Sequence, residues 1–527
     1  MKNTCGVVGK KVLMNKERTF RRLAHRALAS YYSERKLLEN RVTGHPWGSG
    51  IPVAVCYPNS YAIGMSNLGL FALLNIINNY GGFIAERVFF EKDYNEEALS
   101  VESHRPLSDY AHLFFTVSFE PDFFNLAALL KRSNVPLWAK DRRQGDPLVI
   151  GGGASLSANP APVQDFLDVV CIGEAEAIMP SILRILKSGA TRRQLLEHLV
   201  ELDGIYVPGI SKSSIQRTYK RELTSPPFTS LVTPYSQSGG AFMIEISRSC
   251  PFHCTFCLAK SAFSPFRYYS WDSIKNTLQN RPDNAKVWLV GAAAYAHPQI
   301  ETISEYLVQN DISFSISALR SKPLSVKLLQ NLRQSGQQSL SLAPESGATM
   351  RQKMGKDISD NDFIQTVETA VGLGFNEIKL YFMVGLPHET ERDLLELIDL
   401  CLACAKTAKS ARIFVSVSPF VAKVGTPWEN QSWGGIRQIK CTIDYLQKAL
   451  GKRGIEVKPE SPFFSAVQAL LSKGGKELSS LLAISENSTY TAIRNAFSHS
   501  KLDLDKCISE LPNTPAASQI IRGEKGV

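Results

Sequence analysis

Short apolar runs alternate with helix-spaced segments in two separate stretches of this chain, and a stretch rich in Ser, Thr, Pro and Gly divides them. In the first stretch, Pro52–Tyr57, His112–Val117, Pro147–Ile150 and Val169–Ile172 have the length and composition of buried strands. Met65–Asn79, Phe123–Arg132 and Glu174–Lys187 carry apolar residues at helical spacing. Strands separated by helices make a parallel sheet covered on both faces. The expectation for residues 49–204 is a Rossmann-like, doubly wound sheet. Ligands in such sheets bind beyond the carboxyl ends of the strands. The loops there are Tyr57–Tyr61, Val117–Pro121, Gly151–Pro162 and the turn at Gly173 and Glu174. Three consecutive glycines, Gly151, Gly152 and Gly153, permit close backbone approach, although a tight strand-to-loop turn explains them as well. Glu120, Glu174 and Glu176 also suit helix starts, where the dipole favours acids.

The second alternation spans 239–435. Its strands are Phe242–Ile246, Val287–Val290, Ser313–Ile316, Ser339–Leu342, Glu377–Met383 and Arg412–Val417, with a helical stretch between each consecutive pair. That order fits a parallel α/β barrel, partial or full, with its reactive groups in loops after the strands, and a (β/α)6 partial barrel is the expectation. Residues 205–238 read as a linker or a short β excursion. From Ile436 onward the strand pattern stops, and 436–527 reads as a small α-helical tail.

Composition narrows the setting. With 44% hydrophobic and 20% charged residues in 527, long disorder and solenoid repeats are excluded. No apolar run reaches the ~20 residues that cross a bilayer, and the start lacks a secretory h-region, so a cytoplasmic protein is expected. Net charge is +10, and residues 1–48 hold eleven basic against three acidic side chains. A solvated basic helical segment accounts for them; an RNA contact would need supporting motifs, and none stands there. Ten cysteines are too few for a disulfide scaffold of this length.

Three of those cysteines carry the chemistry. The first strand of the second stretch runs into Cys250, Cys254 and Cys257, a C-x3-C-x2-C loop at a strand's carboxyl end. Three thiolates can hold three irons of a [4Fe–4S] cluster and leave the fourth iron open to a small molecule. Zinc competes, but a structural zinc site wants four ligands at paired spacing, and His253 could be the fourth only by competing with its neighbours for loop geometry. Cys401 and Cys404 form a C-x2-C on an amphipathic helix, where small buried hydrophobes are the expected role.

The loop and its surroundings resemble the radical S-adenosylmethionine (SAM) superfamily. Leu342–Gly347 with Met350, Arg351 and Lys356 looks like the family's segment after strand four; Leu380–Thr390 resembles its strand five; Ser418–Lys423 with Thr426 and Pro427 resembles the end of strand six. The resemblance implies a cluster on Cys250, Cys254 and Cys257 whose open iron chelates the amino and carboxylate groups of SAM. It implies reductive cleavage of SAM to a 5′-deoxyadenosyl radical that abstracts hydrogen from a substrate, with an electron donor of flavodoxin or ferredoxin type. Glu345 and Ser346 would contact SAM, Arg351 or Lys356 its carboxylate, and the Gly385–Pro387 turn its adenine. Ser249 stands where many relatives have Gly.

The first domain resembles the cobalamin-binding-type domain that precedes many radical SAM enzymes, through Tyr57–Asn59, Gly64–Gly69, Ser118–Asp122, Gly151–Gly153, Asn159, Pro160, Asp168 and Ile172–Glu176. The resemblance implies that Gly151, Gly152, Gly153, Gly173 and Glu174 line a corrin. The family's D-x-H-x-x-G motif is absent, since His45 lies before the first strand without the aspartate, so cobalt would have no histidine beneath it. The reaction implied is methyl transfer to an unactivated carbon or another radical modification of an unknown substrate. Alternatives are a methylthiotransferase-like RNA or protein modifier, which would need three more cluster cysteines where the first domain has Cys56 and Cys171, and a non-catalytic iron–sulfur protein.

Overall fold

The computed structural model describes residues 26–39, 47–212, 214–409, 411–511, 517 and 520–527. Strands β1 (Ile51–Tyr57), β2 (Phe83–Phe89), β3 (His112–Thr116), β4 (Leu148–Gly152), β5 (Val169–Cys171) and β6 (Ile205–Tyr206) form one sheet in the order β2-β1-β3-β4-β5-β6. The first five are parallel and β6 is antiparallel. This is a doubly wound order whose switch point, between β1 and β3, opens a crevice at the strand carboxyl ends. Helices Leu68–Tyr80 and Ala175–Leu186 bury Leu70, Ile77, Ile178 and Ile182 on one face. Asp122–Arg132 buries Phe123 to Leu130 on the other.

β2 lies outside the sequence expectation because Glu86 and Arg87 interrupt its apolar run. Both are nevertheless buried, and buried charge requires partners. The Arg87 guanidinium lies between Glu39, 2.7 Å away, and Glu102, 2.6 Å away. Glu86 accepts from the hydroxyls of Tyr110 at 2.5 Å and Ser103 at 2.6 Å. Glu39 follows a helix over 26–37, whose Tyr32 is fully buried. Most of the remaining basic segment, residues 1–25 and 40–46, lies outside the described residues.

The chain then passes through β7 (Ile215–Tyr219) into the barrel strands β8 (Phe242–Glu245), β9 (Ser247–Arg248), β10 (Arg267–Tyr268), β11 (Val287–Val290), β12 (Phe314–Ile316), β13 (Ser339–Glu345), β14 (Glu377–Val384), β15 (Arg412–Pro419) and β16 (Glu456–Pro459). Parallel strands run β8-β11-β12 and β13-β14-β15-β16, and a single bridge from Leu319 to Leu342 joins the two sets. The six expected strands are β8 and β11 to β15. β9 and β10 form a separate antiparallel stem.

Two features correct the reading that strands stop at Ile436. β16 adds a seventh barrel strand, and β17 (Ile521–Gly526) pairs parallel with β7. β16 reads as Glu-Val-Lys-Pro and pairs on one side only, so it never needed an apolar pattern. The tail also divides between two cores. Ile439, Ile443 and Leu446 of helix Ile436–Gly451 pack in the barrel core. Val467, Leu471, Leu481 and Phe497 pack on the first domain. Among the described residues no helix is long and apolar enough to cross a membrane.

One junction joins all three parts. Glu120, after β3, accepts from Lys423 Nζ (2.6 Å), Ser472 Oγ (3.1 Å) and Gln468 Nε2 (3.0 Å). Asn159 donates to the carbonyls of Leu471, Ser472 and Gly474, which terminates helix Pro462–Lys473 against the first domain. Burial alone would raise the Glu120 carboxyl; the Lys423 ammonium and the hydrogen bonds outweigh it and hold the pKa below the ordinary value. A depressed carboxylate contributes stability that is present at neutral pH and lost as pH falls through its folded pKa. Lys423→Met removes the main influence that opposes burial and leaves only the remaining hydrogen bonds against it. The variant is therefore expected to lose about 3–5 kcal/mol at neutral pH and to approach the wild type toward about pH 4, read by thermal melting across pH. A deficit that stays constant over that range would contradict the ion pair as its cause.

Candidate cluster and cofactor centre

The cysteine loop is the connection of a two-residue antiparallel stem. Arg248 of β9 faces Arg267 of β10 in register, and the chain between them holds Cys250, Cys254, Cys257 and helix Leu258–Phe263. Ser249 enters the loop at φ +68°, the left-handed region that glycine adopts without strain. The Cys257 N–H donates to the Cys254 carbonyl at 3.2 Å. Two other connections fix the loop: Thr255 N–H donates to Met354 O at 3.0 Å, and Trp428 N–H donates to Thr255 O at 3.2 Å. Phe256 packs with Met350, Met354, Leu386, Phe420 and Trp428, so the loops after β13, β14 and β15 share one apolar contact with it.

The three thiols are partly exposed. Burial raises the Cys250 and Cys254 thiols, and each is also raised by the thiolate charge of its neighbours, Cys257 included. The three thiols are therefore near enough to act on one another's charge. Yet among the described residues no three His, Cys, Asp or Glu side chains converge at the spacing of a single ion. A mononuclear zinc needs that convergence, whereas a polynuclear cluster needs only a triangle of thiolates around a wider volume. His253 is exposed, and its backbone carbonyl lies against Gly355. The donor set fits a [4Fe–4S] cluster held by three cysteines.

The expected SAM contacts divide on inspection. Glu345 ends β13 at φ +70°, beyond a register shift against β14, and accepts from Lys356 Nζ at 2.8 Å. Both side chains lie close enough to Cys254 to influence its charge. Ser346 is buried beside them, with a hydroxyl that has no partner among the described residues. Gly385 turns at φ +71° at the end of β14, its N–H held by Glu389 at 2.8 Å, and Pro387 follows in the same turn. Arg351 points the other way. It is fully buried, and donates to the carbonyls of Ser346 (2.7 Å) and Ile358 (3.0 Å) and to Asp360. Its guanidinium secures the turn after β13, with Nε and both terminal nitrogens already committed to these acceptors.

A cation that the sequence motifs passed over stands there instead. Arg320, after β12, stacks its guanidinium 3.8 Å above the Phe252 ring and draws both Cys250 and Cys254 downward in pKa. It donates to Lys322 O and has no carboxylate partner among the described residues. Tyr295 also stacks on Phe252, with centroids 6.4 Å apart and planes 19° apart. The signal available in sequence was position alone, a basic residue past the third barrel strand. His297, close by, uses both ring nitrogens on backbone groups. Cys401 and Cys404 are fully buried in the barrel core.

The first sheet presents its carboxyl edge to this loop. A cavity of about 320 Å³ lies between them, lined by Gly151, Gly152 and Gly153 from β4 and its loop, by Gly173 and Glu174, and by Arg248 and Phe263 from the stem and loop. The expected corrin glycines are not equivalent. A Cβ at Gly173 would come within 2.1 Å of Thr218 O, and one at Gly153 within 2.5 Å of Val117 O, so the chain's own packing already demands both. At Gly151 it would meet the Leu167 and Leu156 side chains below 3.0 Å. At Gly152 the nearest atom is Cys171 Cβ at 3.4 Å, an ordinary contact. Glu174 is committed: its oxygens accept from Arg267 at 2.6 and 3.0 Å and from Lys220 N–H at 3.1 Å, and Arg248 lies 3.0 Å away.

Comparison with known proteins agrees with this geometry. Residues 69–208 match the family described as "Radical SAM proteins, N-terminal", and residues 244–401 match the "Radical SAM superfamily". An uncharacterized protein of Methanocaldococcus jannaschii is 28% identical over 83% of this chain and 92% of its own. Among solved structures, the radical SAM methyltransferase TsrM from Kitasatospora setae, described with cobalamin and a [4Fe–4S] cluster bound, is 12% identical. It aligns over 72% of this chain and 77% of its own, with a TM-score of 0.50, a likeness of fold. The cobalamin-dependent SAM radical enzyme OxsB is 14% identical over 86% of this chain and 62% of its own, with a TM-score of 0.48. Anaerobically purified protein should hold about four irons per chain. Cys250→Ala, Cys254→Ala and Cys257→Ala should each abolish the brown chromophore, whereas Cys401→Ala and Cys404→Ala should retain it. Loss of the chromophore in either of the last two would place a ligand elsewhere.

Proposed function

Because this chain belongs to the radical SAM superfamily, we propose that it is a cobalamin-assisted radical SAM enzyme that modifies a small substrate, by methyl transfer, at the cleft between its two α/β domains. The observation that carries the reading is the meeting of three thiols and the unpaired Arg320 guanidinium on a loop whose stem faces the carboxyl edge of the first sheet. A cluster on those thiols would supply the electron that cleaves SAM to a 5′-deoxyadenosyl radical, received from a donor of flavodoxin or ferredoxin type. Arg320 fits the SAM carboxylate, because Arg351 and Lys356 are already paired. The unpaired Ser346 hydroxyl and the Gly385–Pro387 turn are available to the rest of the cofactor. Phe252, Tyr295 and the apolar group around Phe256 limit water at the reacting atoms.

A cobalamin held along the Gly152 edge would supply the methyl group. Among the described residues no histidine lines that cavity, so the cobalt would bind without a protein imidazole. With a Cβ at ordinary contact distance, Gly152 is the position where bulk would enter the cavity without striking the backbone.

Two measurements test the reading. The reconstituted protein with SAM and dithionite should release 5′-deoxyadenosine, and Arg320→Met should raise KM for SAM roughly tenfold, the effect of one charge-assisted hydrogen bond. Equilibrium dialysis should retain cobalamin with a base-off spectrum; Gly152→Val should weaken retention, while Gly173→Ala should instead lower the melting temperature. Protein that cleaves SAM but retains no cobalamin would remove methyl transfer from the proposal and leave a radical SAM enzyme with a structural first domain.

A further inference from the structure

A second cavity, of about 860 Å³, opens where the segment after β15 meets helices Ile436–Gly451 and Pro462–Lys473. It adjoins the barrel mouth. Ala422 of its wall packs in the same apolar group as Phe256 and Leu386, and a Cβ on Gly434 would lie 3.7 Å from the Gly385 Cα. Its volume is that of a small-molecule site.

Two sets of donors face this space without acceptors, and a third is buried in its wall. Helix Ile436–Gly451 begins at Gly435 with no side-chain cap, and Ile439 is the first amide to bond back, to Gly435 O. The preceding first-turn amides and the helix dipole favour an anion. Lys473 is 6% exposed, lines the cavity, and has no hydrogen-bond or ion-pair partner among the described residues. The indole N–H of Trp433, also in the lining, is buried without an acceptor. Arg437 adds a second cation at the rim. Of the acids nearby, Asp505 lines the cavity, and Glu429 acts on Lys473 from beyond ion-pair distance while its carboxylate takes the Gly425 N–H at 2.8 Å. The Lys473 stem is buried while its ammonium stands unpaired in the cavity wall near the unbonded amides of the helix start, and an oxyanion would satisfy both.

We infer that this cavity is an oxyanion-binding subsite at the barrel mouth, held by Lys473 and the first turn of helix Ile436–Gly451 with Trp433 in its wall, that takes the carboxylate or phosphate of a small substrate. That the ligand is the substrate rests on the radical SAM reading; that the cavity binds an oxyanion does not.

The test is titration of the full-length protein with inorganic phosphate and, separately, with succinate, following the indole 15N–1H resonance of Trp433, assigned through Trp433→Phe. At least one anion should shift the resonance saturably, and the arm that does so identifies phosphate or carboxylate as the chemistry. Lys473→Met should weaken that binding roughly tenfold or more, Lys473→Arg should restore part of it, and the rim variant Arg437→Gln, at an exposed position, should weaken it less. The same titration on Cys254→Ala should give the same affinity, so failure of the cluster reading and failure of this one are read separately. No saturable shift with either anion, or a shift unaffected by both Lys473→Met and Arg437→Gln, would overturn the inference.

Discussion

Arg248 and Arg267 stand opposite each other on the stem of the cysteine loop, and two like charges in register repel. What allows the stem to close is Glu174 from the other domain, whose carboxylate lies between the two guanidiniums. Glu245 and Glu176 complete the set around Arg248, at 2.5 and 2.9 Å. Arg248 is two residues before Cys250, so the same contact that joins the domains also sets where the thiols begin. Removing one partner of such a buried set would leave the others uncompensated, at a cost of about 3–5 kcal/mol. Domain docking and cluster-loop geometry therefore depend on one electrostatic arrangement.

The arrangement has a consequence for chemistry. The first sheet presents its strand ends toward the loop because Gly173 admits Thr218 alongside it and Glu174 then reaches the stem. On the far side, Glu120 and Asn159 fasten the barrel segment at Lys423 and the helix ending at Lys473 to the same sheet edge. The cleft is thus closed at two points. A reaction that generates a carbon radical needs such fixed boundaries, since orientation and exclusion of water decide which bond reacts.

Much of this was legible in the sequence where apolar pattern and structure coincide. The four first-domain strands and six barrel strands are short apolar runs, and Cys250, Cys254 and Cys257 announce themselves by spacing. β2 escaped because the partners of its two charges lie outside the strand: Glu39 and Glu102 for Arg87, the Tyr110 and Ser103 hydroxyls for Glu86. β16 escaped because an edge strand of four mostly exposed residues needs no apolar pattern. Glu174 reads as a helix-start acid or a corrin neighbour until its arginine partners, more than seventy residues away, are brought beside it. Arg351 and Arg320 are alike in sequence terms. Only packing separates the one that faces three backbone and carboxylate acceptors from the one left free beside the thiols.

The central claim is that the loop's cluster has one iron without a protein ligand and that SAM occupies it. Electron–nuclear double resonance of the one-electron-reduced protein, mixed anaerobically with SAM labelled with 15N at the amino group, tests this directly. The account predicts a 15N coupling to the cluster that appears only with the labelled cofactor and is lost with the cluster in Cys254→Ala. A reduced [4Fe–4S] signal with no coupling to labelled SAM at saturating concentration would mean that the fourth iron is closed, and would contradict the account.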